Sequence, residues 1–247
     1  MPIASTDLKA YCAASMPQDD TSTSGGAIDT TTLVEFTDLA ANDDIEAVSD
    51  NAGDTMNLTI TARSTAGGIV SETKALNGTT AVIFSTIGVV ERFMKCLLAS
   101  SATGTITIRR SVGGATIATL SPGKLATRRF FYDSSSESGQ TIRYEKMHFK
   151  NEHGSLTLNN AKVKLTADPG TSIRVGCATS KGDSATVANR KTAPGGVTFV
   201  DDGVEQSIPT GALAAGENIG VWVEMTRAAD AAAIKNTFTV QLLGTTV

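Results

Sequence analysis

The two histidines of the chain, His148 and His153, are the first residues to test for chemistry, because imidazole is a common metal ligand and proton carrier. Four residues separate them in YEKMHFKNEHGSLTLNNAKVKL (144–165). A zinc or copper site needs a third ligand, which Glu145, Glu152 or an N-terminal aspartate could supply only by chance. Neither histidine has a serine or cysteine at nucleophile spacing. We expect no catalytic or metal-ligating residue here, and a pH-sensitive contact between subunits is the one functional role left open.

The acidic doublets are the next candidates for acid/base or metal chemistry: Asp19-Asp20, Asp43-Asp44 and Asp201-Asp202. A glycosidase needs two carboxylates that converge from separate strands, whereas adjacent loop residues point apart. The chain has no calcium-loop spacing and no glycine-rich phosphate loop. We therefore expect solvated acidic loops, no catalytic residue, no cofactor and no metal.

The three cysteines, Cys12, Cys96 and Cys177, are too widely spaced for a zinc motif and too few for a paired disulfide framework. One interpretation is that they are buried thiols in a reducing compartment. The alternative is that they form intermolecular disulfides between copies of the chain.

The overall charge argues against a nucleic-acid partner. The formal net charge is −4 and the pI is about 5.2, whereas phosphate binding requires clustered basic residues. The basic pairs Arg109-Arg110 and Arg128-Arg129 are interpreted as solvated strand edges. No apolar run is long enough to cross a membrane, and the beginning MPIASTDLKAY lacks the pattern of a signal peptide. We expect synthesis in the cytoplasm, with no membrane partner.

Short runs of alternating apolar and polar residues carry these side chains, and Gly, Asn, Asp and Pro interrupt the runs about every ten residues. This pattern predicts β-strands joined by turns. In the histidine segment, Met147 and Phe149 would face a core, and His148 would face solvent or a partner. His153 would lie in the NEHG turn, and Trp222 would serve packing or a subunit contact.

The fold class predicted is all-β, with two Ig-like or jelly-roll-like β-sandwich domains. Residues 1–50 are predicted to form an extended N-terminal segment that can complete the C-terminal sandwich. Residues 51–134 would form an inserted β-sandwich, and residues 135–247 the C-terminal β-sandwich.

Several segments resemble virion structural proteins of tailed bacteriophages. They are ITARSTAGGIVSETKALNGTT, TGTITIRRSVGGATIATLSPG, RYEKMHFKNEHGSLTLNNAKVKL, NRKTAPGGVTFVDD and LAAGENIGVWVEMTRAAD, and the beginning MPIASTDLKAY with the later SGGAI is also similar. The resemblance covers most of the chain except the acidic run before Asn51. Some related proteins lack the middle sandwich, which implies that residues 51–134 are an insertion.

The resemblance implies a particle component without enzymatic activity, located in the virion. Its partners would be other virion proteins (capsid, portal, neck or tail subunits) and copies of itself. A collar, neck or head-decoration role is the leading hypothesis, and a tail component is a further alternative. An adhesive module that binds a host glycan or protein through the loops at 180–196 and 200–206 is the alternative from another class. That alternative predicts clustered exposed aromatic residues, but the sequence offers only Phe199 there.

Overall fold

The computed structural model describes residues 2–111, 114–132, 137–168, 170, 172–232 and 237–246. The chain is all-β, which confirms the predicted fold class. Two short 3₁₀ turns, Ser5–Asp7 and Pro209–Gly211, are the helical elements of the described part. The strands are β1 Leu8–Ser15, β2 Ser24–Leu33, β3 Ile45–Ser49, β4 Asn57–Ser64, β5 Ile69–Ala75, β6 Val82–Ile83, β7 Val90–Leu98, β8 Ile106–Arg110, β9 Thr116–Leu120, β10 Ala126–Arg128, β11 Thr141–Asn151, β12 Leu158–Ala167, β13 Ile173–Lys181, β14 Thr186–Val187, β15 Glu205–Ser207, β16 Ala212–Leu213, β17 Asn218–Arg227 and β18 Thr239–Thr245.

The chain divides into two compact units, each described here by itself. Unit 1 combines Met1–Asp29 with Phe131–Val247, and unit 2 is Thr30–Phe130. The chain passes from one to the other within β2 and returns after β10. The predicted boundaries lay at 50/51 and 134/135, and Ser134 falls outside the described residues. The Ig-like topology and the inserted origin of the middle segment remain predictions.

Unit 1 has one large and one small sheet. In the large sheet the strand order is β13-β17-β11-β1-β2, with β14 paired to the N-terminal part of β2. In the small sheet β12 lies between β18 on one side and β15 and β16 on the other. Val163 and Leu165 in β12 and Val221 and Val223 in β17 are fully buried. Their period-2 spacing follows from strand geometry, which places alternate residues on one face.

Unit 2 also has two sheets. One has the order β10-β7-β4-β5, and β10 also pairs with Thr32 and Leu33 of β2. The other has the order β6-β3-β8-β9. In β4 the apolar residues Leu58, Ile60 and Ala62 are fully buried, while the threonines between them are partly exposed. The alternation of apolar and polar residues in the sequence therefore predicts this strand correctly.

The first 50 residues are built into the sheets rather than extended along a surface. Strand β1 runs antiparallel to β11, with Tyr11 opposite His148 and Cys12 opposite Met147. The acidic run contains β3, which pairs with β6 and β8. Its apolar residues Ile45 and Ala47 are fully buried. Strand β1 belongs to the large sheet of unit 1, in line with the expectation that this segment can complete the C-terminal sandwich. The expectation of an extended segment did not include β3, because charged residues dominate the sequence around that strand.

No helix in the described ranges is long and apolar enough to cross a membrane.

Candidate functional site

The site built around His148 lies inside unit 1, not on its surface. His148 and its strand neighbour Lys146 are both 0 % exposed. The prediction that His148 faces solvent or a partner is therefore wrong. Strand β11 is covered on both faces, since the segment after β13 lies over the side that carries Lys146 and His148 and binds Lys146 through Asp183.

Lys146 is held by four acceptors. Its ammonium group donates to the Asp183 carboxylate and lies 3.1 Å from the Gly26 carbonyl oxygen, 3.2 Å from that of Asp183 and 3.2 Å from that of Ala185. It also lies 5.4 Å from the centre of the Trp222 ring. Burying a charge is unfavourable unless it is paired and hydrogen-bonded, and these contacts meet both conditions. Lys146 thus connects three parts of unit 1: strand β2, strand β17 and the segment that follows β13.

His148 completes this group of residues, which we name the Lys146 cluster: Lys146, His148, Asp183, Trp222 and Gly26. The Nε2 atom of His148 donates to the Gly26 carbonyl oxygen at 3.1 Å, and Nδ1 lies 3.0 Å from the side-chain amide of Asn218. Both ring nitrogens are therefore engaged within the fold. No nitrogen is left to ligate a metal or to abstract a proton from a substrate.

Two glycines allow the Lys146 cluster to close. Gly25 has φ +100°, and a Cβ atom there would lie 2.6 Å from the Trp222 ring and 2.8 Å from the Ala185 carbonyl oxygen. A Cβ atom on Gly220 would lie 2.7 Å from the Lys146 side chain. Only glycine permits these approaches without moving the aromatic ring or the buried ammonium.

Burial controls the protonation of the Lys146 cluster. Desolvation, followed by the nearby Lys146 ammonium, lowers the pKa of His148 from 6.5 to about 4. Burial also lowers the pKa of Lys146, while the Asp183 carboxylate opposes this change. Although burial alone would raise the pKa of Asp183, its hydrogen bonds from Lys146 and from the Ala185 N–H lower it. Near neutral pH His148 is therefore neutral.

A second group of buried charges, the Asp20 cluster, comprises Asp20, Arg143, Arg190 and Glu145. Arg143 donates to both carboxylate oxygens of Asp20, at 2.9 Å from Nε and 2.7 Å from Nη2. Arg190 donates to Asp20 at 2.9 Å and to the Gln18 carbonyl oxygen at 2.6 Å. These contacts attach the segment between β1 and β2 to β11 and to the segment after β14.

Glu145 is the fully buried acid of the Asp20 cluster. Its carboxylate lies 3.4 Å from Arg190 and accepts the backbone N–H of Phe131 at 3.0 Å. The hydrogen bond from Arg143, together with the charges of both arginines, outweighs burial and lowers the pKa of Asp20 to about 2. Asp20 was predicted to be solvated, and that prediction is wrong.

The segment 182–203, which we name the covering loop, is fastened to the large sheet by both clusters. Besides Asp183 and Arg190, its backbone contributes hydrogen bonds: the N–H of Tyr144 donates to the Arg190 carbonyl oxygen at 2.7 Å, and Val175 and Val200 exchange two bonds. Phe199 packs against Tyr144, with ring centres 5.5 Å apart, beside the buried Trp222. Its aromatic contact is therefore directed inward, which does not favour an adhesive surface on this loop.

His153 lies at a different place, at the edge of a shallow open pocket of about 470 Å³. Its Nδ1 accepts the backbone N–H groups of Ser155 and Leu156, so Nε2 carries the ring proton. The pocket is also lined by Lys150, Glu152, Gly154, Ala215 and Gly216. It contains no serine or cysteine nucleophile, and Glu152 is already bound by the Tyr11 hydroxyl at 2.6 Å.

Two further carboxylates, those of Asp19 and Asp54, are also used within the fold. Asp19 caps a turn through Thr21 and Ser22, whose hydroxyl and N–H groups lower its pKa. Asp54, only 1 % exposed, accepts N–H groups of Thr103 and Gly104 at 2.8 and 2.9 Å. The side chain of Asp201, in contrast, is 79 % exposed to solvent.

The basic pairs do not lie on solvated edges as predicted. Arg109 and Arg110 pair with carboxylates of the acidic run, Glu46 at 2.6 Å and Asp43 at 2.8 Å. Arg128 and Arg129 are buried, and Arg129 lies 2.7 Å from Asp38 and stacks on Phe36 at 4.6 Å. Such pairings join residues far apart in sequence, and so a local pattern cannot reveal them.

The three cysteines are buried free thiols. Burial raises the pKa of Cys96 and of Cys177 to about 12. The thiolate is the reactive form, so these thiols are inert near neutral pH. An intermolecular disulfide through Cys12, Cys96 or Cys177 would require local opening, and it remains a prediction.

No group of three or more His, Cys, Asp or Glu side chains in the described residues is arranged to hold a metal ion. Comparisons with protein-family models, with curated proteins and with solved structures find no match for this chain. What the two clusters do is hold segments in place: they connect the segments around β1 and β2 and the covering loop to the large sheet.

Proposed function

We propose that this chain is a non-enzymatic structural component of a tailed-phage particle, present in many copies as a collar, neck or capsid-decoration protein. The sequence resemblance suggests this class. The observation in its favour is that the polar residues best suited to chemistry, Lys146, His148 and Glu145, are buried and bonded to the fold. A protein built in this way supplies shape and surface, which is what a particle component requires.

Co-sedimentation with particles tests the proposal. Particles from cells that produce this chain are purified on a density gradient, washed in high salt and probed for the chain. The expected result is a band at the density of intact particles. Recovery of the chain only in the soluble lysate would contradict a virion role.

The location on the particle separates the collar, head and tail alternatives. A bulky domain fused to the C-terminus and imaged on negatively stained particles should give extra density at the neck or over the head. Density along the tail would replace the proposal with a tail component. Binding of the isolated chain to host cells, with none in particles, would favour the adhesive alternative.

The same washed particles test the intermolecular disulfide. Because all three thiols are buried, we expect this chain to migrate as a monomer on a denaturing gel without reductant, when the thiols are blocked before denaturation. A dimer that disappears on reduction would show that Cys12, Cys96 or Cys177 does link copies.

A further inference from the structure

One face of a sheet in unit 2 carries like charges directly opposite each other. Arg63 of β4 is opposite Arg92 of β7. In the next row of the same face, Lys95 of β7 lies opposite Arg128 of β10 and is also paired with Thr61. Opposite residues share a face, and neighbouring rows along a strand lie about 7 Å apart. The four cations therefore occupy two adjacent rows.

This arrangement is unfavourable for an isolated sheet, because like charges in opposite positions destabilise the pairing. Glu91 lies 2.7 Å from Arg63. Burial lowers the pKa of Arg92, and the charges of Asp38 and Glu91 oppose this change. Lys95 has no ion pair with a carboxylate in the part of the chain that the structure describes. Lys95 is partly exposed, so its ammonium group is available to a negatively charged partner.

The face also exposes apolar side chains. Leu97, opposite Thr59, is 42 % exposed, and Ile69, opposite Arg63, is 44 % exposed. Together Arg63, Arg92, Lys95, Leu97 and Ile69 form what we name the basic face. A partner that fits it must combine negative charge with an apolar group.

The chain itself contains a segment of that description in unit 1. Asp201, Asp202, Gly203, Val204 and Glu205 form an exposed turn, which we name the acidic turn; the N–H of Val204 bonds to the Asp201 carbonyl oxygen at 3.3 Å. The Asp201 side chain is 79 % exposed and Val204 is 47 % exposed. Arg174 and Lys162 only partly neutralise the turn, since the Lys162–Glu205 pair is itself about 40 % exposed. Exposed pairs of this kind are weak and can be exchanged.

We propose that the basic face of one copy binds the acidic turn of a second copy. This inference rests on the proposed multi-copy role and names its contact. The two surfaces differ, so the contact is head-to-tail, and repetition produces a ring or a filament rather than a closed two-fold dimer. The net charge of −4 repels a nucleic acid and a second copy alike, so the contact depends on the local charges of the basic face and the acidic turn.

A charge exchange tests the contact. The face variant carries Arg63→Glu with Lys95→Glu, and the turn variant carries Asp201→Lys with Asp202→Lys. Each is purified as the full chain and examined by sedimentation velocity at low and at high salt. We expect the unchanged chain to self-associate at low salt, and each variant alone to associate about tenfold more weakly or less. An equimolar mixture should associate again, because each reversed surface then meets its complement.

Stability separates loss of the contact from loss of the fold. The face variant places one new carboxylate opposite Arg92 and the other opposite Arg128, but it also removes the Arg63 partner of Glu91, so its melting temperature should lie close to that of the unchanged chain. Lys9→Glu with Lys124→Glu is the matched control, since it makes the same change of net charge elsewhere and should leave association unchanged.

Three outcomes would overturn the inference: an unchanged chain that stays monomeric at about 100 µM, variants that associate normally, or a mixture that fails to recover. Binding of DNA or another polyanion that the face variant loses, without self-association, would assign the face to a different partner. None of these outcomes affects the proposed function, which depends on the presence of the chain in particles.

Discussion

At the scale of the residue, the main finding is that ionisable side chains are used as internal fasteners. Lys146, His148 and Glu145 are fully buried on one strand. Each is bonded to a segment distant in sequence, such as Gly26, Asp183 or Arg190. Such groups are stabilising only while every partner is in place, so they should respond sharply to pH and to substitution.

His148 should make unit 1 sensitive to acid. Its folded-state pKa of about 4 lies below the value of 6.5 for an unperturbed histidine, so between these values the unfolded state binds more protons. The contribution of neutral His148 is complete above pH 6.5 and is lost as the pH falls towards 4, by up to about 3 kcal/mol. Denaturant unfolding from pH 7.5 to 4 should show this slope.

The variants His148→Gln and His148→Asn test the assignment of that slope. Both lack a titrating proton, so both should reduce the dependence on pH, although their stabilities at pH 7.5 can differ. A slope as steep as that of the unchanged chain in both variants would show that other groups cause the acid sensitivity.

Asp54 should be important for the stability of unit 2. Its buried carboxylate accepts three bonds, from the N–H groups of Thr103 and Gly104 and from the Ser49 hydroxyl at 2.6 Å. Asp54→Asn replaces one acceptor oxygen with an amide NH2 group that faces donors, which should lower the free energy of unfolding by about 2 kcal/mol or more. Asp50→Asn is the control, because that carboxylate accepts a single exposed bond from Thr105. Equal melting temperatures for the two variants would contradict this account.

At the scale of the element, the covering loop and the N-terminal strand depend on each other. Strand β1 lies between β11 and β2, and the covering loop contacts β11 through the Asp183–Lys146 pair and β2 through the pairing of β14. The loop is therefore a third layer on the large sheet of unit 1. Its order is expected to depend on the Asp20 cluster.

Arg190→Met should loosen the covering loop, because it leaves Glu145 buried without its cation, a change that typically costs about 3 kcal/mol or more. Hydrogen exchange at residues 183–200 should then be faster by at least about tenfold. Lys191→Met is the control, since Lys191 is 39 % exposed and contacts Asp20 and Glu137, but not Glu145, from the surface. Similar exchange in both variants would mean that the loop is held by its backbone and aromatic contacts alone.

The strands could be predicted from sequence, whereas the burial of the β11 face that carries His148 could not. Alternation in TMNLTITA and in NIGVWVEMT places Ile60 and Val221 in a core, as the structure has them. The same alternation puts His148 on the outer face, and it is buried because a polar loop distant in sequence covers that face. Long-range ion pairs such as Asp20–Arg143, 123 residues apart, carry no local signal. The strand β3 was missed for the related reason that its acidic neighbours are paired, not solvated.

At the scale of the whole molecule, the chain forms unit 1 from two separate segments, and unit 2 lies between them in sequence. The Lys146 and Asp20 clusters use residues of unit 1 alone. We therefore expect a chain in which Asp29 is joined to Phe131 by a flexible Gly-Ser linker to fold. A single cooperative melting transition and dispersed amide resonances are the expected result. A molten or aggregated product would show that unit 1 requires the middle segment.

The most direct test of the central claim is the number of copies on the particle. Isotope-dilution mass spectrometry of salt-washed, gradient-purified particles, referred to the major capsid protein, gives that number. The account predicts a fixed value well above one copy per particle, the same in independent preparations. A value below one, or one that falls with each wash, would contradict a structural role in the virion.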